Sequence, residues 1–128
     1  MKVGIPIELN PKESRVGATP KTVERLKKQG FDVYIQSGAG KEANYADEGY
    51  KAAGANIVDT MEALYRDTDI ILKVLAPTDA EIDMMHAGQV SLSYLGPAQN
   101  QDLLKKLAAK KVNAIAMDAI PRISRAQK

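Results

Sequence analysis

The 128-residue sequence predicts a three-layer α/β domain, an open, mainly parallel sheet with helices on both faces. Two observations carry this. Short β-rich runs alternate with helical segments about five times along the chain, the order that parallel strands joined by crossover helices require. One of those runs, Ile70-Ile71-Leu72-Lys73-Val74-Leu75, is nearly all apolar rather than alternating, as a strand covered on both faces should be. Hydrophobic residues at 45% and charged residues at 27% suit a soluble domain of ordinary size with a real core.

The elements read in order as follows. Strands are expected at Lys2 to Ile7, Asp32 to Gln36, Asn56 to Val58, Ile70 to Leu75, Val90 to Tyr94 and Asn113 to Met117, each bounded by Gly, Pro, Asn or Asp. A long loop, Glu8 to Ala18, leads to the first helix. There Thr19 is an N-cap, Pro20 fits the first turn, and Gly30 ends the helix. After Gly40, Asn44 and the Asp47-Glu48 pair place the next helix onset late rather than at the glycines. Thr78-Asp79-Ala80-Glu81 is a capping box, in which hydroxyl and carboxylate each satisfy a free backbone N–H. His86 ends that helix just before Gly88, where a cation suits the helix dipole. Asn100 opens the last helix, with Leu103, Leu104, Leu107 and Ala108 on one face and Lys105, Lys106, Lys110 and Lys111 turned away. Lys110 and Lys111 are expected in its last turn, so dipole pairing accounts for the local basic excess. The whole is of Rossmann-like or flavodoxin-like type.

Composition excludes several function classes. There is no cysteine, hence no disulfide and no thiolate metal site. No stretch reaches the ~18 to 20 apolar residues of a membrane span, and the N-terminus lacks a signal-peptide pattern. A net charge of +2, one Phe, five Tyr and no Trp argue against nucleic acid. Residues 101 to 128 nevertheless hold seven Lys or Arg against two acids. The single histidine, His86, rules against a histidine metal cluster and a Ser-His-Asp arrangement. Tyr45, Tyr50, Tyr65 and Tyr94 read as packing rather than a stacking platform.

Three segments draw attention as candidate sites. Ser37-Gly38-Ala39-Gly40-Lys41-Glu42-Ala43 imitates a dinucleotide fingerprint, and Asp59 follows at a suitable spacing. It sits after the second strand rather than the first, however, and Lys41 and Glu42 replace small residues, so a tight strand-exit turn is the better reading. Lys73 lies inside an apolar run near the carboxyl end of its strand, the edge where open α/β sheets bind ligands. It is either a ligand-holding cation or a lysine snorkelling from an edge strand. Arg15 lies in the long loop leaving the same edge. It is either a solvated arginine or a partner of Lys73 in gripping one small anion, with a planar fork beside a point charge.

The residues Met1-Lys-Val-Gly-Ile-Pro-Ile-Glu8, Glu13-Ser-Arg-Val-Gly-Ala-Thr-Pro20, Ser37-Gly-Ala-Gly40 and Ile71-Leu-Lys-Val74 resemble the N-terminal domain shared by alanine dehydrogenases and transhydrogenase alpha subunits. The resemblance spans essentially the whole chain. Gly96-Pro97-Ala98-Gln99-Asn100 and Met117 to Gln127 look like the transhydrogenase branch. Alanine dehydrogenases place a catalytic histidine in the segment aligning with Tyr94 to Pro97, and none stands here. The resemblance implies the first lobe of a two-lobe NAD(H)-binding domain, exchanging hydride with NADP(H) on a beta subunit, coupled to proton translocation. Residues 1–120 would form the α/β domain and 121–128 the start of a truncated inter-lobe segment. Arg122, Ile123, Ser124, Arg125 and Gln127 resemble the nicotinamide-contacting loop, and no catalytic or metal residue carries over. Arg15 and Lys73 match the positions that hold the substrate carboxylate in alanine dehydrogenases. The implied partners are the remainder of the alpha subunit, the NADP-binding beta subunit and a second copy in a homodimer. The implied location is cytoplasmic, peripheral to the inner membrane, without direct membrane insertion. This stretch alone is expected to be inactive, with most NAD(H) contacts beyond it. The alternatives are a stand-alone α/β module for a small anion, and, less favoured, the first lobe of an amino-acid dehydrogenase.

Overall fold

The computed structural model describes residues 1–9, 12–94 and 101–116. Six strands, β1 (Lys2–Ile5), β2 (Asp32–Gln36), β3 (Asn56–Val58), β4 (Ile70–Leu75), β5 (Val90–Tyr94) and β6 (Asn113–Ala116), form one sheet in the order β3-β2-β1-β4-β5-β6. Every pairing is parallel. The helices are α1 (Pro20–Lys28), α2 (Asp47–Ala53), α3 (Met61–Asp67), α4 (Asp79–Met84) and α5 (Gln101–Ala109). This is the doubly wound α/β arrangement of the expected class. Among the described residues no helix is long and apolar enough to cross a membrane.

Two cores lie on opposite faces of the sheet. Ile5, Val33 and Ile35 pack with Val23 of α1 and Tyr50 of α2. Ile71 packs with Tyr65 of α3, Ile82 of α4 and Leu107 of α5. Alternation along β1 explains the division: Ile5 faces α1 and α2, while Gly4 faces α3. A Cβ on Gly4 would lie 2.8 Å from the Thr68 hydroxyl and 3.2 Å from Leu64, so α3 sits close against the strand.

The strand boundaries follow the sequence except at β1, expected to run to Ile7. Pro6 has no N–H to give the ladder, and the Ile7 amide donates instead to the Gln36 side chain at 3.0 Å. Met117, Asn100 and the segments 96–100 and 117–127 lie outside the described residues. Thr19 caps α1 through its hydroxyl, and the Thr78–Glu81 capping box is complete. The helix α4 stops at Met84, so His86 does not end it. His86 turns its Nε2 to the Thr68 carbonyl at 3.0 Å instead.

Helix α5 departs from its expected face. Leu107 is buried and Leu103 half-buried, but Leu104 and Ala108 are exposed. The helix packs on β6 and α4 at the end of the sheet. It therefore buries a single i, i+4 row rather than two adjacent rows. Lys110 and Lys111 fall just past the last turn, and Lys110 donates across to the Asp83 carbonyl of α4 at 3.3 Å. Val112 N bonds to Leu107 O at 2.9 Å and Lys111 N to Ala108 O at 3.0 Å, with Lys111 at φ 61. That is a Schellman-type end with a side chain where glycine is preferred. The Lys111→Gly variant should relieve the left-handed strain and raise stability by about 0.5 to 1 kcal/mol, after loss of the lysine's dipole interaction. An upward shift of the urea midpoint checks this.

Candidate functional site

The chain leaves β1 toward α1 on one face and leaves β4, its neighbour, toward α4 on the other. Such a divergence opens a crevice at the carboxyl edge of the sheet, where α/β folds bind ligands. A cleft of about 450 Å³ lies there, lined by Arg15, Val16, Gly17 and Thr19 of the β1–α1 loop, Lys73 and Val74 of β4, and Ala43, Tyr45 and Tyr94. The structure therefore brings Arg15 and Lys73 to one cleft. Neither cation is free.

Lys73 is held by a buried polar cluster. Pairing of β4 with β5 shifts register between Leu72 and Leu75, a bulge that spends three steps of β4 on two of β5. Glu8, just beyond β1, binds the bulge. Its Oε2 accepts from Val74 N at 2.7 Å, and its Oε1 accepts from Leu75 N at 3.1 Å and from Lys73 Nζ at 3.1 Å. Lys73 Nζ also donates to the Leu75 carbonyl at 2.8 Å and lies 3.7 Å from Glu81 Oε1. The side chains of Lys73, Glu8 and Glu81 are 2%, 3% and 0% exposed. This corrects the reading of a snorkelling edge-strand lysine. Strand β4 is central, between β1 and β5, so the ammonium is shielded from bulk solvent and is neutralised by carboxylates instead. Glu81 also accepts from Thr78 N at 2.8 Å and from the Tyr65 hydroxyl at 3.0 Å. Burial, then the neighbouring Glu81 charge, drives the Tyr65 phenol far above its ordinary range.

Arg15 is 65% exposed and its fork is occupied. Nε donates to Glu13 Oε2 at 2.8 Å and Nη2 to Glu13 Oε1 at 2.9 Å. These bonds hold the Glu13 carboxyl below its usual range. The tyrosines divide. Tyr50 and Tyr65 are fully buried, and Tyr50 donates to the Ala18 carbonyl at 2.7 Å, its phenol pushed up to about 12 by burial. Tyr45 and Tyr94 are exposed, and both line the cleft. The packing assignment therefore fits the first pair, and Tyr45 also packs, its ring meeting that of Tyr50 edge-on with centroids 6.2 Å apart.

The glycine-rich segment is a turn stabilised from within. Gly38 adopts φ 83, and Asp47, the first residue of α2, takes the place an anion would occupy. Its carboxylate accepts from Ser37 Oγ at 2.7 Å and from Gly38 N at 3.0 Å. Those bonds lower its pKa. Gly40 is fixed by packing, since a Cβ there would meet the Tyr50 ring at 2.6 Å. A dinucleotide pyrophosphate does not fit this turn: the Ser37 hydroxyl and the Gly38 amide are taken, and the residue taking them is negatively charged. As the spacing suggested, α2 begins at Asp47 rather than at the glycines.

Sequence reasoning missed Glu8 and the second role of Glu81. A signal existed. A lysine in a central apolar strand demands a buried carboxylate, and Glu8 is the acid immediately past the neighbouring strand. Arg122, Ile123, Ser124, Arg125 and Gln127 lie outside the described residues. Among the described residues no cluster of three or more His, Asp or Glu is placed to hold a metal ion.

Residues 4–128 match the family model described as alanine dehydrogenase/PNT, N-terminal domain. The chain is 50% identical over 127 residues to an NAD(P) transhydrogenase subunit alpha of Haemophilus influenzae, covering 99% of this chain and 24% of that protein. It is 42% identical over 120 residues to an alanine dehydrogenase of Bilophila wadsworthia, covering 94% of this chain and 32% of that one. A crystal structure of transhydrogenase from Sinorhizobium meliloti superposes with a TM-score of 0.92 at 35% identity, covering 99% of this chain and 38% of its own. The chain thus spans between 24% and 38% of the length of these relatives. With the doubly wound sheet, the crevice at its carboxyl edge and a match over nearly every residue all in agreement, the chain belongs to the alanine dehydrogenase/PNT N-terminal domain family.

Proposed function

We propose that this chain is the first lobe of the NAD(H)-binding part of a transhydrogenase, which exchanges hydride between NAD(H) and NADP(H) coupled to proton translocation. The observation that carries the reading is the state of the cleft. It stands at the sheet's ligand edge, yet Arg15 and Lys73 are engaged by Glu13, Glu8 and Glu81, and the one glycine-rich turn is filled by Asp47. The described residues thus offer a shaped wall and no dinucleotide cradle. A second lobe must supply the cradle. The cofactor, when bound, supplies the hydride chemistry, and this lobe contributes orientation of the reacting ring.

In this reading residues 1–120 form the lobe and 121–128 lead into the inter-lobe segment, where Arg122, Ile123, Ser124, Arg125 and Gln127 contact the cofactor. The partners are the rest of the alpha subunit, an NADP-binding beta subunit and a second alpha copy. The domain works at the cytoplasmic face of the inner membrane, attached through other parts of the complex. The transhydrogenase identity over almost the full chain supports this assignment. The alanine dehydrogenase reading is favoured by one observation, the arrival of Arg15 and Lys73 at the same cleft. The carboxylates that already hold both cations weigh against it.

Titrating the isolated chain with NADH, followed by NMR, is expected to give small shifts that do not saturate. In a complete subunit, Arg122→Ala should weaken NADH affinity roughly tenfold, the scale of one charge-assisted hydrogen bond. Tight, saturable shifts in the isolated chain would contradict the half-site reading, and unchanged affinity in the variant would remove the Arg122 assignment.

A further inference from the structure

One part of the interior is incompletely satisfied. Ser91 and Ser93 of β5 are buried at 1% and 0% exposure, and neither Oγ has a hydrogen-bond partner among the described residues. They stand two residues apart, so both project from the same face of the sheet. Ser91 pairs in register with Ile71 of β4, which packs against α3, α4 and α5. Ser93 lies between Leu92 and Tyr94, whose partners Leu72 and Leu75 bracket the bulge that carries Lys73. Its Cα therefore lies beside the Lys73–Val74 step of β4, and its side chain projects from the face on which Ile71 meets Ile82 of α4.

The cluster has spare bonding capacity of matching chemistry. An ammonium carries three protons. Two of those of Lys73 are accepted by Glu8 Oε1 at 3.1 Å and by Leu75 O at 2.8 Å. The third has Glu81 Oε1 at 3.7 Å, beyond hydrogen-bond reach but close enough to count as an ion pair. Glu81 Oε1 accepts one bond, from Thr78 N, and retains capacity for another. A third ammonium proton without an acceptor in hydrogen-bond reach, a carboxylate oxygen with a spare lone pair and an unpaired hydroxyl thus belong to three adjoining elements, β4, α4 and β5, all with the side chains shut off from solvent. Leaving them so would cost about 1 to 3 kcal/mol for each group.

We propose that an internal water molecule occupies this site, accepting from Lys73 Nζ and Ser93 Oγ and donating to Glu81 Oε1. Three polar partners are the usual complement of a buried water. The water turns the long Lys73–Glu81 contact into a bridged one and ties β5 to the cluster that already joins β1, β4 and α4.

The test is ¹⁷O magnetic relaxation dispersion of the full chain, with and without Ser93→Val, together with urea unfolding. Valine removes the hydroxyl and fills the adjoining space. The expected result is a dispersion amplitude that falls by one long-lived water, with the folding equilibrium constant lowered about tenfold. An unchanged amplitude overturns the proposal whatever happens to stability, and a variant more stable than the parent does so too, because valine would then have filled dry space. Should the variant fail to fold, a high-resolution crystal structure of the parent decides. Density within hydrogen-bond distance of Lys73 Nζ, Glu81 Oε1 and Ser93 Oγ supports the water, and a dry site overturns it.

Discussion

Replacing Lys73 with methionine is expected to destabilise the protein by about 3 to 5 kcal/mol, the cost of breaking a buried ion pair from one side. Methionine has nearly the right length and no charge, so the loss is electrostatic rather than a cavity. It would leave Glu8 and Glu81 facing each other with no cation, both almost completely shielded from solvent. Glu8 keeps its bonds from Val74 N and Leu75 N, which offset only part of a buried negative charge. Adding Glu8→Gln removes the excess charge but leaves one oxygen to accept from only one of Val74 N and Leu75 N, with the NH2 set against the other, so it should return only a small part of the loss. Urea unfolding of both single variants and the double variant measures the coupling. A Lys73→Met variant within 1 kcal/mol of the parent would show that the cluster does not hold the sheet edge together.

The Gly17→Ala variant should be nearly as damaging, by about 3 kcal/mol, at the upper end of what overpacking normally costs. A Cβ at Gly17 would run into the Leu72 carbonyl oxygen and lie 2.8 Å from its carbon. Both are backbone atoms of a central strand, so no rotamer change relieves the clash. Either β4 or the loop must move, and the loop carries Arg15 at the mouth of the cleft. A matched control is available in the helix α2. A Cβ at Gly49 meets only Pro20, at 3.8 Å, so Gly49→Ala should be neutral or stabilising by up to about 1 kcal/mol through helix propensity. Thermal unfolding of the two variants side by side separates a steric effect from a general intolerance of glycine replacement. Equal stabilities would remove the close-approach argument.

Much of the architecture was legible along the chain because its signals are local. Thr19 and Thr78 mark helix starts through a hydroxyl and the next few amides, and the structure places caps on both. The nearly all-apolar run at Ile70 to Leu75, broken only by Lys73, identified a doubly covered strand. The weak helix signal at Gly38 and Gly40 correctly separated a turn from a nucleotide cradle, although nothing local named Asp47 as the group filling it. Errors arose where a residue's fate depends on its neighbours in space. Leu104 and Ala108 have the spacing of a core face, but α5 stands beside β6 and α4, and among the described elements these cover one row.

The amino-acid sequence by itself determined the alternation of strands and helices, the caps and turns that delimit them, and the presence of an unusual lysine in an apolar strand. Only the tertiary structure decided what that lysine does. Glu8 and Lys73 are 65 residues apart, and they meet because β1 and β4 are adjacent in a sheet whose order differs from the order of the chain. Propensity, capping and periodicity act over a few residues. Neutralising a buried charge is a matter of distance in space, and no pattern along the chain reports that distance.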